Sequence, residues 1–104
     1  MDDERLLKLL KALAEGNRLK IVKTVAAAGE LSCGQIAERF PIAQATVSHH
    51  LKILLEARLL DVRREGQFGY FTLNQTVTDQ LRAAIYDLLP GLTTEEIISP
   101  NNRT

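Results

Sequence analysis

Apolar residues recur at helical spacing in five stretches of this chain and alternate with polar ones in a sixth. In residues 3–14, Leu6, Leu7, Leu9, Leu10 and Leu13 form a stripe broad enough to pack on two surfaces, one in its own domain and one on a partner chain. Asp2, Asp3 and Glu4 stand where the positive end of a helix dipole favours negative charge. Gly16 breaks this helix and Asn17 is placed to cap the next. That helix, residues 18–27, turns Leu19, Val22, Val25 and Ala26 inward and leaves Lys20 and Lys23 mostly outward. Gly29 ends it.

The stretch from Ser32 to Leu55 predicts two helices joined by a tight turn. Ser32 with Gln35 three residues on is a capping-box pattern, and Ile36, Ala37 and Phe40 share one face behind it. Pro41 stops the first helix, because it lacks an amide donor and pushes the preceding residue out of the helical region. In the second helix Val47, Leu51, Leu54 and Leu55 form the apolar stripe, opposite Ala45, Ser48, His49, Lys52 and Glu56, with Gln44 and Thr46 at its start. A small, hydrogen-bonding outer face near the N-terminal end is what a helix needs to enter a DNA major groove and read base edges. The plain alternative is an ordinary helical hairpin whose outer face is polar because water wets it.

Past this pair the period changes. Leu60 and Val62 alternate with Asp61 and Arg63, Gly66-Gln67-Phe68-Gly69 supplies turn chemistry, and Tyr70-Phe71-Thr72-Leu73 favours a strand. A lone hairpin is barely stable, so this one leans on the helices. Arg63, Arg64 and Gln67 beside its turn suit phosphate or minor-groove contact; the alternative is a hairpin that only lids the core. Thr76 and Asp79 give a second capping pattern. It opens a helix through Leu89 with Val77, Leu81, Ala84, Ile85 and Leu88 on one side, stopped by Pro90-Gly91. The expected class is mainly α with a small β-hairpin wing, a winged helix-turn-helix ordered as four helices, two strands and a helix. Residues 1–91 form the DNA-binding and dimerisation domain, and residues 92–104 a fraying tail.

Composition narrows the picture. A chain of 104 residues, 45% hydrophobic but only 5% aromatic, suits one aliphatic helical core that a dimer interface would help stabilise. No apolar run approaches the roughly 20 residues that span a bilayer. Net charge is zero, yet residues 5–74 carry eleven basic against six acidic side chains and the rest two against seven. A basic middle fits a local DNA-facing surface, as it fits ordinary solubility charge. Arg18, a cation in the first turn of its helix, gains nothing from the dipole; phosphate binding explains it, and so does an intramolecular salt bridge. One cysteine makes no internal disulfide, and an acidic start is unlike a secretory signal, so a cytoplasmic location is expected. No nucleophile–base pair, phosphate-cradling glycine loop or metal-ligand spacing marks an enzyme.

Asn17-Arg18-Leu19-Lys20-Ile21-Val22, Gln35-Ile36-Ala37, Thr46-Val47-Ser48-His49-His50-Leu51-Lys52-Ile53-Leu54 and Arg63-Arg64-Glu65-Gly66-Gln67 with Tyr70-Phe71-Thr72-Leu73 together resemble the ArsR/SmtB winged-helix repressors over about residues 5–90. The wing and the Asn74-Gln75-Thr76-Val77 that follows look closest to the SdpR-like branch, which does not sense metal. The resemblance implies a homodimer that binds an inverted-repeat operator in double-stranded DNA and represses transcription, with the first and last helices as interface. On this basis Gln44, Thr46, Ser48 and His49 are assigned to the major groove. Lys52, Arg63, Arg64, Gln67 and Arg18 are assigned to backbone or wing contacts, and Leu6, Leu10, Leu81, Ile85 and Leu88 to the dimer seam.

Departures from the family pattern bear on metal. Members that sense metal through the third helix carry a pattern like ELCVCDL. Here its two cysteine positions are Ser32 and Gly34, and Cys33 takes the intervening apolar place, where it is expected to fill a small gap. The last helix has no histidine for the other known metal arrangement. His49 and His50 point about 100° apart on a helix, His49 outward and His50 towards the core. No cofactor and no metal is therefore expected. Ala43 replaces the usual capping Ser or Thr before the second helix and loses one backbone bond. Three functions compete: a metal-independent DNA-binding repressor, a thiol- or ligand-responsive repressor of the same fold, and a winged-helix module that docks proteins.

Overall fold

A computed structural model describes residues 1–89, so the Pro90-Gly91 stop and the 92–104 tail lie outside the described residues. The elements are α1 (Asp3–Leu13), α2 (Gly16–Ala28), β1 (Glu30–Ser32), α3 (Cys33–Ala37), α4 (Gln44–Glu56), β2 (Leu60–Glu65), β3 (Phe68–Leu73) and α5 (Gln75–Leu88). This is the mainly α winged helix-turn-helix expected, with a third strand added.

Local chemistry sets most boundaries. The Asp2 carboxylate caps α1 by accepting from the Arg5 amide at 2.8 Å. Leu9 and Ala12 sink into the core, Leu6, Leu10 and Leu13 are half-buried, and Leu7 is exposed. The α2 cap is Glu15, not Asn17: the α1–α2 link is so short that Glu15 is the last extended residue, and its carboxylate accepts from the Arg18 amide at 2.8 Å. The inner face also differs from the one expected. Ile21 and Val25 are fully buried, while Leu19 and Ala26 stand exposed. Gly29, at φ 90°, ends α2 in a conformation that side-chain-bearing residues rarely adopt.

The capping box forms as expected, with Ser32 Oγ accepting from the Gln35 amide at 3.2 Å and Gln35 Oε1 from the Ser32 amide at 2.8 Å. The α-helix ends at Ala37, four residues before Pro41, and i→i+3 bonds from Arg39 and Phe40 close the turn. Ala43 caps α4 with no side-chain bond. At its other end α4 closes in a Schellman motif. Arg58, at φ 67°, donates to the Leu55 carbonyl and Leu59 to that of Leu54, while the Leu54 and Leu59 side chains are buried.

The sheet is antiparallel throughout, in the order β1-β3-β2. Glu65 pairs with Phe68, so the turn is only Gly66-Gln67 and Phe68-Gly69 belong to the strand. Gly66, at φ 62°, supplies the positive φ that a two-residue hairpin matching the strand twist requires. One sheet face carries Leu60, Val62, Arg64, Gly69, Phe71 and Leu73; the other carries Asp61, Arg63, Glu65, Phe68, Tyr70 and Thr72. Phe71 and Leu60 join Leu9, Ile21, Val25, Ile36, Val47, Leu51 and Leu54 in a single aliphatic core. The α5 cap is Asn74, two residues earlier than Thr76. Its Oδ1 accepts from the Val77 amide at 2.9 Å, and its own amide donates to Leu59 O at 2.9 Å, tying the helix start to the α4–β2 link.

Candidate nucleic-acid interface

Gln44, Thr46, Ser48, His49 and Lys52 are all exposed on α4. At about 100° per residue, Gln44, Ser48 and Lys52 fall on the side towards the wing and Thr46 and His49 on the side away from it. His50 turns inward and is 8% exposed, with Nδ1 3.4 Å from Arg18 Nη1 and 4.0 Å from the Glu15 carboxylate. The inward assignment of His50 and the outward one of His49 both match the fold.

A cleft of about 600 Å³ runs between α4 and the wing. Leu51, Leu55 and Phe71 floor it; Gln44, Ser48 and Lys52 wall one side, and Arg64, Gln67 and Gly69 the other. The start of α3 closes one end, where Cys33 Sγ lies 3.3 Å from Ser48 Oγ and 4.0 Å from Gln44 Nε2. Cys33 therefore packs only partly against the core. Its sulfur meets the reading helix rather than filling a sealed gap, because the tight turn of the helix pair swings the start of α3 against α4.

Two expected phosphate ligands are placed otherwise. Arg18 Nε donates to Ala12 O at 2.6 Å and Nη2 reaches Lys11 O at 3.5 Å, so its guanidinium closes the C-terminal end of α1. Its partners lie within the chain but are carbonyls, and among the described residues it does not form the expected salt bridge. Arg63 lies on the sheet face away from the cleft. It donates to Glu30 at 2.9 and 3.3 Å and to Glu65 at 3.2 Å, and its guanidinium carbon sits 4.8 Å from the Tyr70 ring centroid. The Arg63 hydrogen bond holds the Glu30 carboxyl below its ordinary range, and the same bond raises the guanidinium. Sequence reasoning missed Glu30 as its partner, because Glu30 comes within reach only through β1. The strand period of two, however, already separates Arg63 from Arg64. Among the described residues neither Arg64 nor Lys52 forms an ion pair.

The expected seam divides as well. Leu81 is 7% exposed and belongs to the protomer's own core. Leu6 and Leu10 are half-buried, whereas Leu7, Ile85, Tyr86, Leu88 and Leu89 leave an exposed apolar surface along α1 and α5. Among the described residues no three His, Cys, Asp or Glu side chains converge as metal ligands. The sulfur's neighbours, a hydroxyl and an amide, do not fit a soft-metal site. No helix among the described residues is long and apolar enough to cross a membrane.

Comparison with known proteins agrees with this geometry. The family described as "Helix-turn-helix domain" matches residues 13–63, from the end of α1 into β2. The transcriptional repressor SdpR of Bacillus subtilis (strain 168) is 41% identical over 69 residues, which are 66% of this chain and 76% of that protein. The arsenical resistance operon repressor of Staphylococcus aureus is 32% identical over 81 residues, 78% of this chain and 77% of that one. Among solved structures, the homodimeric winged helix-turn-helix DNA-binding domain of Mb0332 from Mycobacterium bovis superposes with a TM-score of 0.68 at 26% identity, covering 89% of this chain and 92% of that one. With the helix pair, the wing and these relatives in agreement, the chain belongs to the ArsR family of winged helix-turn-helix transcriptional repressors.

Proposed function

We propose that two copies of this chain, paired through α1 and α5, bind an inverted-repeat operator and repress transcription in the cytoplasm without using metal. The observation that supports it most is the cleft itself: the exposed edge of α4 with Gln44, Ser48 and Lys52 faces Arg64 on the wing, and no carboxylate neutralises Lys52 or Arg64 among the described residues. In this reading Gln44, Thr46, Ser48 and His49 meet base edges, while Lys52, Arg64 and Gln67 meet backbone or minor groove. Arg18 and Arg63 act indirectly, Arg18 by seating the start of α2 on α1 and Arg63 by bracing the wing against β1. The homodimer described for the Mycobacterium bovis relative supports the pairing.

Selection of bound fragments from genomic DNA, followed by footprinting, tests this. The expected product is a two-fold repeat with half-sites about one helical turn apart. Failure to enrich any sequence overturns the reading. Stoichiometric zinc or arsenite under reducing conditions is expected to leave operator affinity unchanged; a tenfold loss that vanishes in Cys33→Ser overturns the metal-independent part. One contact favours a second reading, a thiol-responsive repressor: Cys33 Sγ touches Ser48, so an adduct on the sulfur would crowd the reading helix. Alkylation of wild type and Cys33→Ser with the same maleimide separates the two readings. Equal operator binding in all four samples eliminates the thiol-responsive one.

A further inference from the structure

Gly69 stands inside a strand without a conformational reason to be glycine. Among the described residues the positive-φ glycines are Gly29 and Gly66, and glycine in a strand interior weakens it. We propose that Gly69 is a positioning residue for DNA binding: its bare backbone is the shelf along which Arg64 lays its guanidinium into the cleft beside α4. This rests on the DNA-binding reading above.

Arg64 and Gly69 are direct partners across the β2–β3 pair, on the cleft face of the wing. A Cβ at position 69 would stand 2.8 Å from Arg64 Nη1, 3.1 Å from Val62 Cγ2 and 3.5 Å from Arg64 Cζ. Non-bonded heavy atoms settle at about 3.5–4.0 Å, so a β-carbon and the guanidinium cannot both occupy this place. The closest atom is the far end of a flexible side chain. A substitution is therefore accommodated by swinging Arg64 away, with the Val62 methyl giving by a few tenths of an ångström. Holding the guanidinium flat on the strand reduces the rotamer freedom that an exposed arginine otherwise loses on binding. It also keeps that cation on the same cleft as Lys52, where a single DNA strand's phosphates can meet both.

The test compares Gly69→Ala, Arg64→Ala and the double variant on the operator fragment recovered by selection, well below the thermal midpoint of the least stable protein. Gly69→Ala is expected to leave the protein folded with a small change in that midpoint, the better strand preference of alanine being offset by the displaced Val62 methyl. It is also expected to flatten the slope of log affinity against log salt by up to about 0.9, the value of one phosphate contact. In the Arg64→Ala background the same change is expected to add nothing. A merely structural role for Gly69 would move stability and leave the salt slope alone. Wild-type affinity and slope in Gly69→Ala, or an undiminished effect in the Arg64→Ala background, overturns the assignment. If wild type itself enriches no fragment, the DNA-binding reading falls instead, so the two failures are told apart.

Discussion

The wing's adjacent arginines face opposite sides of the sheet because strand side chains alternate, and their surroundings then differ in charge. Arg64 lies in the cleft without an acidic partner among the described residues, whereas Arg63 is bracketed by Glu30 and Glu65. Arg64→Ala is accordingly expected to weaken binding to all sequences alike and to lower the salt slope by about 0.9. Arg63→Ala is expected to leave the slope unchanged, and salt titrations of the two variants check this. The carboxylates also set a pH response. Hydrogen bonds from the Arg18 amide and from the Arg63 guanidinium hold Glu15 and Glu30 below their ordinary values, and the side chains of Gln75 and Arg82 do so for Asp79. A carboxyl whose folded value is depressed contributes stability above its unfolded value, near about 4.3 for Glu, and loses it as pH falls through the lower folded one. The thermal midpoint is therefore expected to drop from about pH 4.3 downward, and less steeply in Glu15→Gln. Equal acid profiles for the two proteins would contradict the Glu15 assignment.

Both ends of α4 can be improved, unlike the capped starts of the other helices. Ala43 is extended as a cap should be, at φ −66° and ψ 148°, but offers no side-chain acceptor. Ala43→Ser is expected to stabilise the fold by about 1 kcal/mol. Arg58 occupies the left-handed place of the Schellman motif, where a β-carbon crowds the carbonyl that follows it. Arg58→Gly is expected to add roughly 0.5–1 kcal/mol, the strain relieved less the larger unfolded-state entropy of glycine. Chemical denaturation reads both, and a loss of stability in either would show that the helix end is held by contacts other than its caps. The same ends show where local reasoning succeeds. The Ser32–Gln35 box, the Gly29 stop and the uncapped Ala43 follow from residues three or four apart. The α2 and α5 caps are displaced by two residues, because the lengths of the links to α1 and β3 decide which residue remains extended.

At the scale of the molecule, the apolar stripe of α5 is divided between the core and the exposed surface. Val77 and Leu81 dock on the protomer's own core, and Leu88, 59% exposed, points away from it with Ile85 at the border. Leu81→Asp is expected to unfold the protomer, since burying a charge costs more than about 3 kcal/mol out of a stability of roughly 5–15. Leu88→Asp and Ile85→Asp are expected to leave far-UV dichroism native while sedimentation at micromolar concentration reports monomer. Native assembly in both variants would move the interface elsewhere. Leu7 is likewise exposed, at 54%, on α1.

Signals that act within one turn of chain were legible without coordinates. The helical periods, the capping box, the Gly29 stop, the hairpin and the outward Gln44, Ser48, His49 and Lys52 all depend on residues a few positions apart, whose backbone geometry is set by sterics and nearby hydrogen bonds; Gly16, expected to break a helix, instead opens α2. Tertiary structure alone decided which of those residues are already occupied. Arg18 meets His50 across 32 positions, Arg63 meets Glu30 across 33, and Cys33 meets Ser48 across 15. Strand β1 exists only because Glu30–Ser32 finds β3 some forty residues later. A charged side chain carries the same pattern in sequence whether it faces a phosphate or a carbonyl. Only the packing of distant elements, by bringing one partner within hydrogen-bonding range and leaving the other to solvent, leaves Arg64 exposed in the cleft and makes Arg18 a clasp between two helices.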